Sequence, residues 1–450
     1  MSNAWPPRRV HIVGVGGTGM SGVARYLAER GCDVSGSDGV DGASLQALGD
    51  TCDVRVGIHP ELAAEADIVT MSPAVSLEHP ELVAAREAGV AILGRSEFLA
   101  RICADHEVVA IAGTHGKTTT TSMYVAISHA AGRHDSWLLG APIRGVGANG
   151  HFAGRHLILE LDESYGTLAT IEPTLLGLLN VEADHLDHYG SLENLQRAFY
   201  QLVARTKSHV VVWEDGTAHQ LVRTVASVVT VGENSTATWR VESIERSLTA
   251  SSFMLRGPNV TLACRLAVPG QHNIENAAVA AVTALLDGIA PDHVERGLAA
   301  FCGAPRRFES HGMVPDSTTW VIEDFAHLPG ELATTIATAR DGGATDIVAV
   351  FQPHRITRTT FLADEFGRCF SGLRELVVLD IYAAGEPNPD GVTGELVAEA
   401  VRRHSDVPVR YIATRQAAMT YLQSLAVVPE GFLVLGAGDV GEMAEWLVGR

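Results

Sequence analysis

The sequence predicts an α/β protein of three domains, and three observations carry that prediction. Short apolar runs alternate with stretches of helical period from Arg9 onward, and the alternation restarts twice further along. An apolar run leads into a glycine-rich loop at GVGGTG, at GTHGKT and at GAGDVG. The length of 450 residues exceeds one ordinary core, and at roughly 100 to 200 residues per domain it makes about three.

The first alternation, VHIVGV, DVSGS, DIVTMS and VAIL interleaved with helical stretches such as ELVAAREAG, predicts a Rossmann-like domain over residues 1–104. The second starts at EVVAIAG and continues through HLILEL, TLLGLLNV and HVVVW. Residues 237–268 then lose helical period and read as antiparallel strands before the helical run NIENAAVAAVTALLDG, so residues 105–303 are expected to form a P-loop ATPase-like domain with a mixed sheet. The stretch GAPRRFE interrupts the pattern. After it WVIEDF, DIVAVF, ELVVLDI and GFLVLG predict a second Rossmann-like domain over residues 304–450.

The formal net charge of −20 argues against a general nucleic-acid or anionic-membrane surface, since either needs a basic face. Any phosphate ligand must therefore be held locally. The N-terminus lacks the long apolar core of a secretory signal, and no apolar run approaches the roughly 20 residues of a membrane helix, which points to a cytoplasmic protein. Cys32, Cys52, Cys103, Cys264, Cys302 and Cys369 are scattered and read as reduced thiols.

Gly14, Gly16 and Gly19 satisfy GxGxxG between strand and helix, with Asp38 at the end of a second strand. Such a loop sets backbone amides and a helix N-terminus against a pyrophosphate. Alone it fits a nicotinamide site, another nucleotide site or a bare glycine turn, and its recurrence at Gly436, Gly438 and Gly441 shows how common the pattern is. GTHGKT is more specific. It is two residues shorter than GxxxxGK[ST] but keeps glycines for phosphate-facing amides, Lys117 as a point charge and Thr118 as a hydroxyl for Mg²⁺, so ATP is the expected ligand. Glu160 closes the strand in HLILELDES, where a carboxylate faces the ligand crevice of an α/β sheet. The apolar strand of LLNVEADHLDHYGS runs into Asp184, His185, Asp187, His188 and Tyr189, a polar cluster with no compact third ligand for zinc. The solitary His59, His79 and His106 read as solvated loop residues.

GVGGTGMSGVA with SGSD, GTHGKTTTTSM, ELDES, NVEADHLDHYG, GQHNIENA, RRFE, EDFAHLP, FQPHRITRT and VLGAGDVGE together resemble, in order and over essentially the whole chain, the ATP-dependent Mur ligases of peptidoglycan synthesis. The resemblance implies ligation of L-alanine to UDP-N-acetylmuramate with ATP and Mg²⁺ (or Mn²⁺), by a monomer or homodimer. It implies a UDP-sugar site at Gly14, Gly16, Gly17, Thr18, Gly19, Met20, Ser37 and Asp38. It implies an ATP site at Gly113, Thr114, His115, Gly116, Lys117, Thr118, Thr119, Asn273, Asn276 and Arg307, with metal ligands Thr118, Glu160 and His185. Lys117, Glu160, His185, Arg307 and Asp324 are the implied catalytic residues, and His327, Arg355 and Arg358 the implied amino-acid contacts.

Two departures bear on the acceptor. Leu328 and Gly330 in DFAHLPGE stand where the L-alanine-adding branch usually has a second histidine and a threonine, and Tyr165 replaces a usual aspartate. A different amino acid or a recycled murein tripeptide as acceptor stays open, as does a catalytically silent UDP-sugar-binding homologue. A nicotinamide-dependent oxidoreductase is disfavoured once the lysine loop is counted.

Overall fold

The computed structural model describes residues 5–182, 186–214, 216–223, 225, 227–303 and 306–449. Its first sheet contains β1 (Arg9–Val13), β2 (Asp33–Asp38), β3 (Asp53–Val56), β4 (Ile68–Met71) and β5 (Ala91–Gly94), all parallel, in the order β3-β2-β1-β4-β5. The chain moves outward from β1 in one direction and then crosses to β4 on the other side. The glycine loop after β1 therefore opens at the point where strand order reverses, which is where α/β sheets leave a crevice for ligands.

The central sheet contains β6 (Glu107–Ala112), β7 (Ser136–Leu138), β8 (Gly150–His151), β9 (His156–Leu161), β10 (Leu175–Leu178), β11 (Val210–Trp213), β12 (Val228–Gly232), β13 (Trp239–Arg246), β14 (Ser251–Arg256) and β15 (Thr261–Leu266). Its order is β15-β14-β13-β12-β11-β10-β6-β9-β7-β8. Strand β6, buried beyond Glu107, lies between β9 and β10, so a second reversal falls at the loop that follows it. In register, Ile111 pairs with Glu160 and Ala112 with Leu178, which brings three strand ends to the same edge. The expected strands of 237–268 are β13, β14 and β15. Their short connections leave no room for a crossover, so these neighbours are antiparallel.

The third sheet contains β16 (Glu309–Met313), β17 (Trp320–Asp324), β18 (Ile347–Phe351), β19 (Glu375–Val378), β20 (Val409–Tyr411) and β21 (Gly431–Leu435), in the order β16-β17-β21-β18-β19-β20. Only the edge strand β16 is antiparallel among these described pairs. Alternate residues face opposite layers: Ile322, Ala349, Phe351 and Leu433 enter one buried cluster, while Val321, Val348, Val350 and Val434 enter the other.

By contact density the chain divides into two compact units. The first comprises Met1–Ser243, Phe253–Cys264 and Glu275–Phe301, and one buried apolar cluster runs through its first and central sheets from Val10 to Val222. The second comprises Ile244–Ser252, Arg265–Ile274 and Cys302–Arg450. All six cysteines are free thiols. No described helix is long and apolar enough to cross a membrane.

Candidate active site

In the first unit, Gly113 and Gly116 turn the chain out of β6 with φ of 143° and 82°, and helix Lys117–Ala130 begins at the next residue. Those angles favour glycine. A Cβ on Gly116 would also sit 2.6 Å from Asn276 Oδ1, so this expected ATP residue packs directly on the loop. Asn180, just past β10, holds the loop from below: its Oδ1 accepts from His115 N at 2.7 Å and its carbonyl accepts from Thr114 N at 3.1 Å. NVEADH contained this residue, but its role needed the adjacency of β6 and β10 to become visible. Thr119 is buried in the helix, and the hydroxyls of Thr120 and Thr121 donate to the carbonyls of Gly116 and Lys117.

Lys117 Nζ donates to Gly113 O at 2.6 Å and to Thr114 O at 3.0 Å, and it pairs with Glu163 Oε2 at 2.7 Å. Burial works against its charge, but Glu163, Asp162 and Glu160 outweigh it and hold the ammonium above the ordinary lysine range. Beside it, Thr118 Oγ1 donates to Glu160 Oε1 at 2.8 Å, while Glu160 Oε2 accepts from Gly140 N at 2.7 Å. A hydroxyl and a carboxylate are the hard oxygen donors a magnesium ion takes. His185 and Asp184 lie outside the described residues. Downstream, Tyr189 donates its hydroxyl to Glu163 O at 2.6 Å and so fixes the segment that carries the lysine's partner.

The first glycine loop is braced by its own neighbours. Gly14 N and Val15 N donate to Ser37 O, and Gly16 N donates to Asp38 Oδ2 at 2.9 Å. The Ser37 hydroxyl is turned away to Glu81 Oε2 at 2.6 Å, and Met20 belongs to the buried core. Side-chain contacts to a ligand are thus not available from these two expected residues as the protein stands, while Gly17 and Thr18 are exposed. Helix Thr18–Glu29 is locked to β8: Asn149 Nδ2 donates to Thr18 O at 2.5 Å and to Ser21 Oγ at 3.0 Å, and a Cβ on Gly22 would lie 2.9 Å from Asn149 O.

The expected solvated histidines are engaged. His106 bonds Tyr26 Oη at 3.0 Å and Ile102 O at 2.8 Å within an aromatic group that includes Phe152, and burial lowers its pKa. His59 and His79 precede Pro60–Glu65 and Pro80–Glu87 as helix caps, which a residue-by-residue reading could not separate from loop.

In the second unit, Asp324 ends β17 and is 8% exposed. Its Oδ2 accepts from Phe308 N and from Thr335 Oγ1, each at 3.1 Å, and its Oδ1 from Ala326 N at 2.9 Å. Burial raises its pKa to about 6 against the opposing charge of Arg307. Arg307 stacks over Phe325 at 5.2 Å and lies 3.8 Å from Glu331. Asn273 Nδ2 donates to Pro269 O at 2.7 Å. His327 contacts Glu331 at 3.3 Å and packs on His354, which stacks on Tyr382. Arg358 donates to His354 Nδ1 at 3.3 Å, and burial pushes that imidazole down to about 4, so it stays neutral. Arg355 has a φ of 71° and pairs with Glu386 at 3.8 Å. His354, Tyr382 and Glu386 had no spacing signal in the sequence.

The last glycine loop is filled by protein. Arg306 donates to the carbonyls of Gly436 and Gly438, and Gln352 both donates to Asp439 Oδ1 and accepts from Val440 N. Its GxGxxG therefore serves packing. The described carboxylate–histidine cluster of Glu309, His311 and Glu323 is likewise tied up, with Arg306 Nε on Glu323 at 2.5 Å.

A lysine loop at one strand reversal, a glycine loop at another and a third α/β layer define an α/β enzyme class that works on phosphorylated ligands. Family models match in succession: the Mur ligase family catalytic domain over residues 9–107, the Mur ligase middle domain over 111–284 and the Mur ligase glutamate ligase domain over 306–438. The UDP-N-acetylmuramate–L-alanine ligase of Thermobifida fusca is 39% identical, covering 98% of this chain and 96% of its own. That of Kineococcus radiotolerans is 41% identical over 96% and 94%. The crystal structure of the UDP-N-acetylmuramate-alanine ligase MurC from Thermotoga maritima matches with a TM-score of 0.80 at 27% identity, covering 98% of both chains. A murein peptide ligase from Psychrobacter arcticus shares the fold, with a TM-score of 0.69 at 21% identity over 98% of this chain and 99% of its own. The chain belongs to the Mur ligase family and is an ATP-dependent ligase.

Proposed function

We propose that this protein joins L-alanine to the carboxylate of UDP-N-acetylmuramate in the cytoplasm, with domains at 1–104 for the UDP-sugar, 105–303 for ATP and 304–450 for the amino acid. The observation that carries the reading is the Thr118–Glu160 contact of 2.8 Å beside the buried Lys117, in a chain whose curated relatives bear the L-alanine ligase name. A free carboxylate is a poor electrophile, so ATP first converts it to an acyl phosphate. The neutral amine then attacks the acyl carbon, inorganic phosphate leaves and the nitrogen sheds a proton. Lys117 moves from the loop carbonyls to the β and γ phosphates. Thr118 and Glu160 supply oxygens for Mg²⁺ or Mn²⁺, which when bound offsets charge on the transferring phosphoryl group. Asn276 backs the loop, and Arg355 and Arg358 meet the amino-acid carboxylate.

Leu328 supports a second reading with another acceptor. It precedes helix Pro329–Asp341, and its polar contact at 3.2 Å is a backbone one to Glu331, so the side chain offers no group to a substrate amine or carboxylate. Phosphate release from ATP with UDP-N-acetylmuramate, screened against single amino acids and L-Ala-γ-D-Glu-diaminopimelate with mass spectrometry of the product, separates the two. Turnover with L-alanine establishes the first; turnover only with another acceptor replaces it; none with any acceptor leaves a silent binding homologue.

A further inference from the structure

Arg95 was not among the residues expected at either nucleotide loop. It opens helix Arg95–Cys103 immediately after β5, at the ligand-facing edge of the first sheet. Its guanidinium lies flat against the first turn of helix Thr18–Glu29: a Cβ on Gly19 would stand 2.9 Å from one terminal nitrogen, 3.3 Å from Cζ and 3.5 Å from Nε. The third glycine of the GxGxxG loop thus makes room for a cation.

We infer that Arg95 is the countercharge for the pyrophosphate of the UDP-sugar, an assignment that rests on the function proposed above. The charge balance of the loop favours such a group. The nearest acidic side chain, Asp38, already occupies Gly16 N at 2.9 Å and repels an anion. A helix N-terminus supplies only about half a positive charge, too little for a diphosphate in a protein of net charge −20. Arg95 lies beside Gly19 in the first turn of that helix, whose N-terminus favours anions, and its planar fork suits two phosphate oxygens at once. Its ion pair with Asp162 is 3.7 Å long, beyond hydrogen-bond distance. Asp162 in turn faces Lys117, so Arg95 stands on the side of the first loop that looks toward the ATP loop.

Calorimetric titration of the full chain with UDP tests this, comparing wild type, Arg95→Ala and Arg95→Lys after their melting curves have been matched. Charge-assisted hydrogen bonds of this kind predict a rise in the UDP dissociation constant of roughly 10- to 100-fold in Arg95→Ala, partial recovery in Arg95→Lys and a shallower salt dependence. UDP-N-acetylglucosamine, which has the pyrophosphate but no lactyl carboxylate, should show the same penalty, and the KM for Mg-ATP should change far less. An unchanged UDP affinity overturns the inference and leaves Arg95 as an ion-pair partner of Asp162. A penalty confined to UDP-N-acetylmuramate also overturns it, by assigning the guanidinium to the carboxylate. If Arg95→Ala does not fold, the Arg95→Lys and Arg95→Gln titrations decide on the same criteria. Wild-type protein that binds neither UDP nor UDP-N-acetylmuramate removes the functional reading itself, and the inference with it.

Discussion

Thr118 Oγ1 and Glu160 Oε1 stand 2.8 Å apart although 42 residues separate them in sequence. Strands β6 and β9 are parallel neighbours in register, so a residue in the first turn of the helix after one meets a residue near the end of the other. The lysine beside them keeps its charge through three carboxylates. Substituting Glu160→Gln preserves size but removes the anionic oxygen, and is expected to lower kcat by roughly 100-fold or more, with a shift of the Mg²⁺ titration to higher concentration. Thr118→Ser should retain most activity and Thr118→Ala should not. Phosphate release measured against Mg²⁺ concentration checks both.

Gly116 and Asn276 predict a coupled defect. Gly116→Ala places an L-residue at φ 82° and drives its Cβ into Asn276 Oδ1, at about 1 to 2 kcal/mol for the backbone alone. Asn276→Gly in the same chain relieves the clash and leaves the dihedral strain. Thermal melting of the two single variants and the double variant should therefore show the double variant more stable than additivity allows. Additive losses would mean that Asn276 does not press on the loop.

Much of the architecture was legible in the sequence because parallel strands buried on both faces read as continuous apolar runs, as RVHIV, EVVAIA and IVAVF do. Lys117, Thr118 and Glu160 were legible because each sits at a strand end beside a glycine turn or an abrupt polar run. Asn180, Arg95 and Asn149 were not, since each acts across a contact between segments far apart in sequence and none carries a spacing of its own. Ser37 and Met20 show the converse case. Membership in a motif brought them near the loop, but the packing of Glu81 and the first core claimed their side chains.

Asn149 links the first glycine helix to the central sheet, and that contact should matter to the UDP-sugar more than to ATP. Asn149→Ala removes two hydrogen bonds to Thr18 and Ser21, worth about 1 to 3 kcal/mol if the acceptors are left unsatisfied. Gly22→Ala overpacks the same contact against the backbone of Asn149, at about 1 to 3 kcal/mol. Both variants should melt earlier and show a raised KM for UDP-N-acetylmuramate. The KM for ATP should stay within about a factor of two, on the reasoning that sites without shared partners add independently. Equal shifts in both constants would mean that the helix contact supports the whole unit and does not position the first loop.

Asp324 gives stability an unusual pH dependence. Its folded pKa of about 6 lies above the ordinary aspartate value of 3.8, because burial disfavours the carboxylate more than Arg307 favours it. Between those two values the native protein takes up a proton that the unfolded chain does not, so this group adds stability as the pH falls through 6 and the gain is complete below 3.8. Above pH 6 the same carboxylate is charged in both states and the native state bears its desolvation, a swing of roughly 3 kcal/mol at most. Asp324→Asn is neutral throughout and cannot titrate. The difference between the wild-type and Asp324→Asn unfolding free energies, measured by denaturant titration from pH 4 to pH 8, should therefore be largest and in favour of wild type at the acid end, and should narrow as the pH rises through 6. The carboxylate accepts from Phe308 N, Ala326 N and Thr335 Oγ1, so the variant also loses acceptor strength at every pH, which offsets the curve without changing its slope. A difference that grows with rising pH would show that Arg307 outweighs burial and that Asp324 is held as a carboxylate well below pH 6.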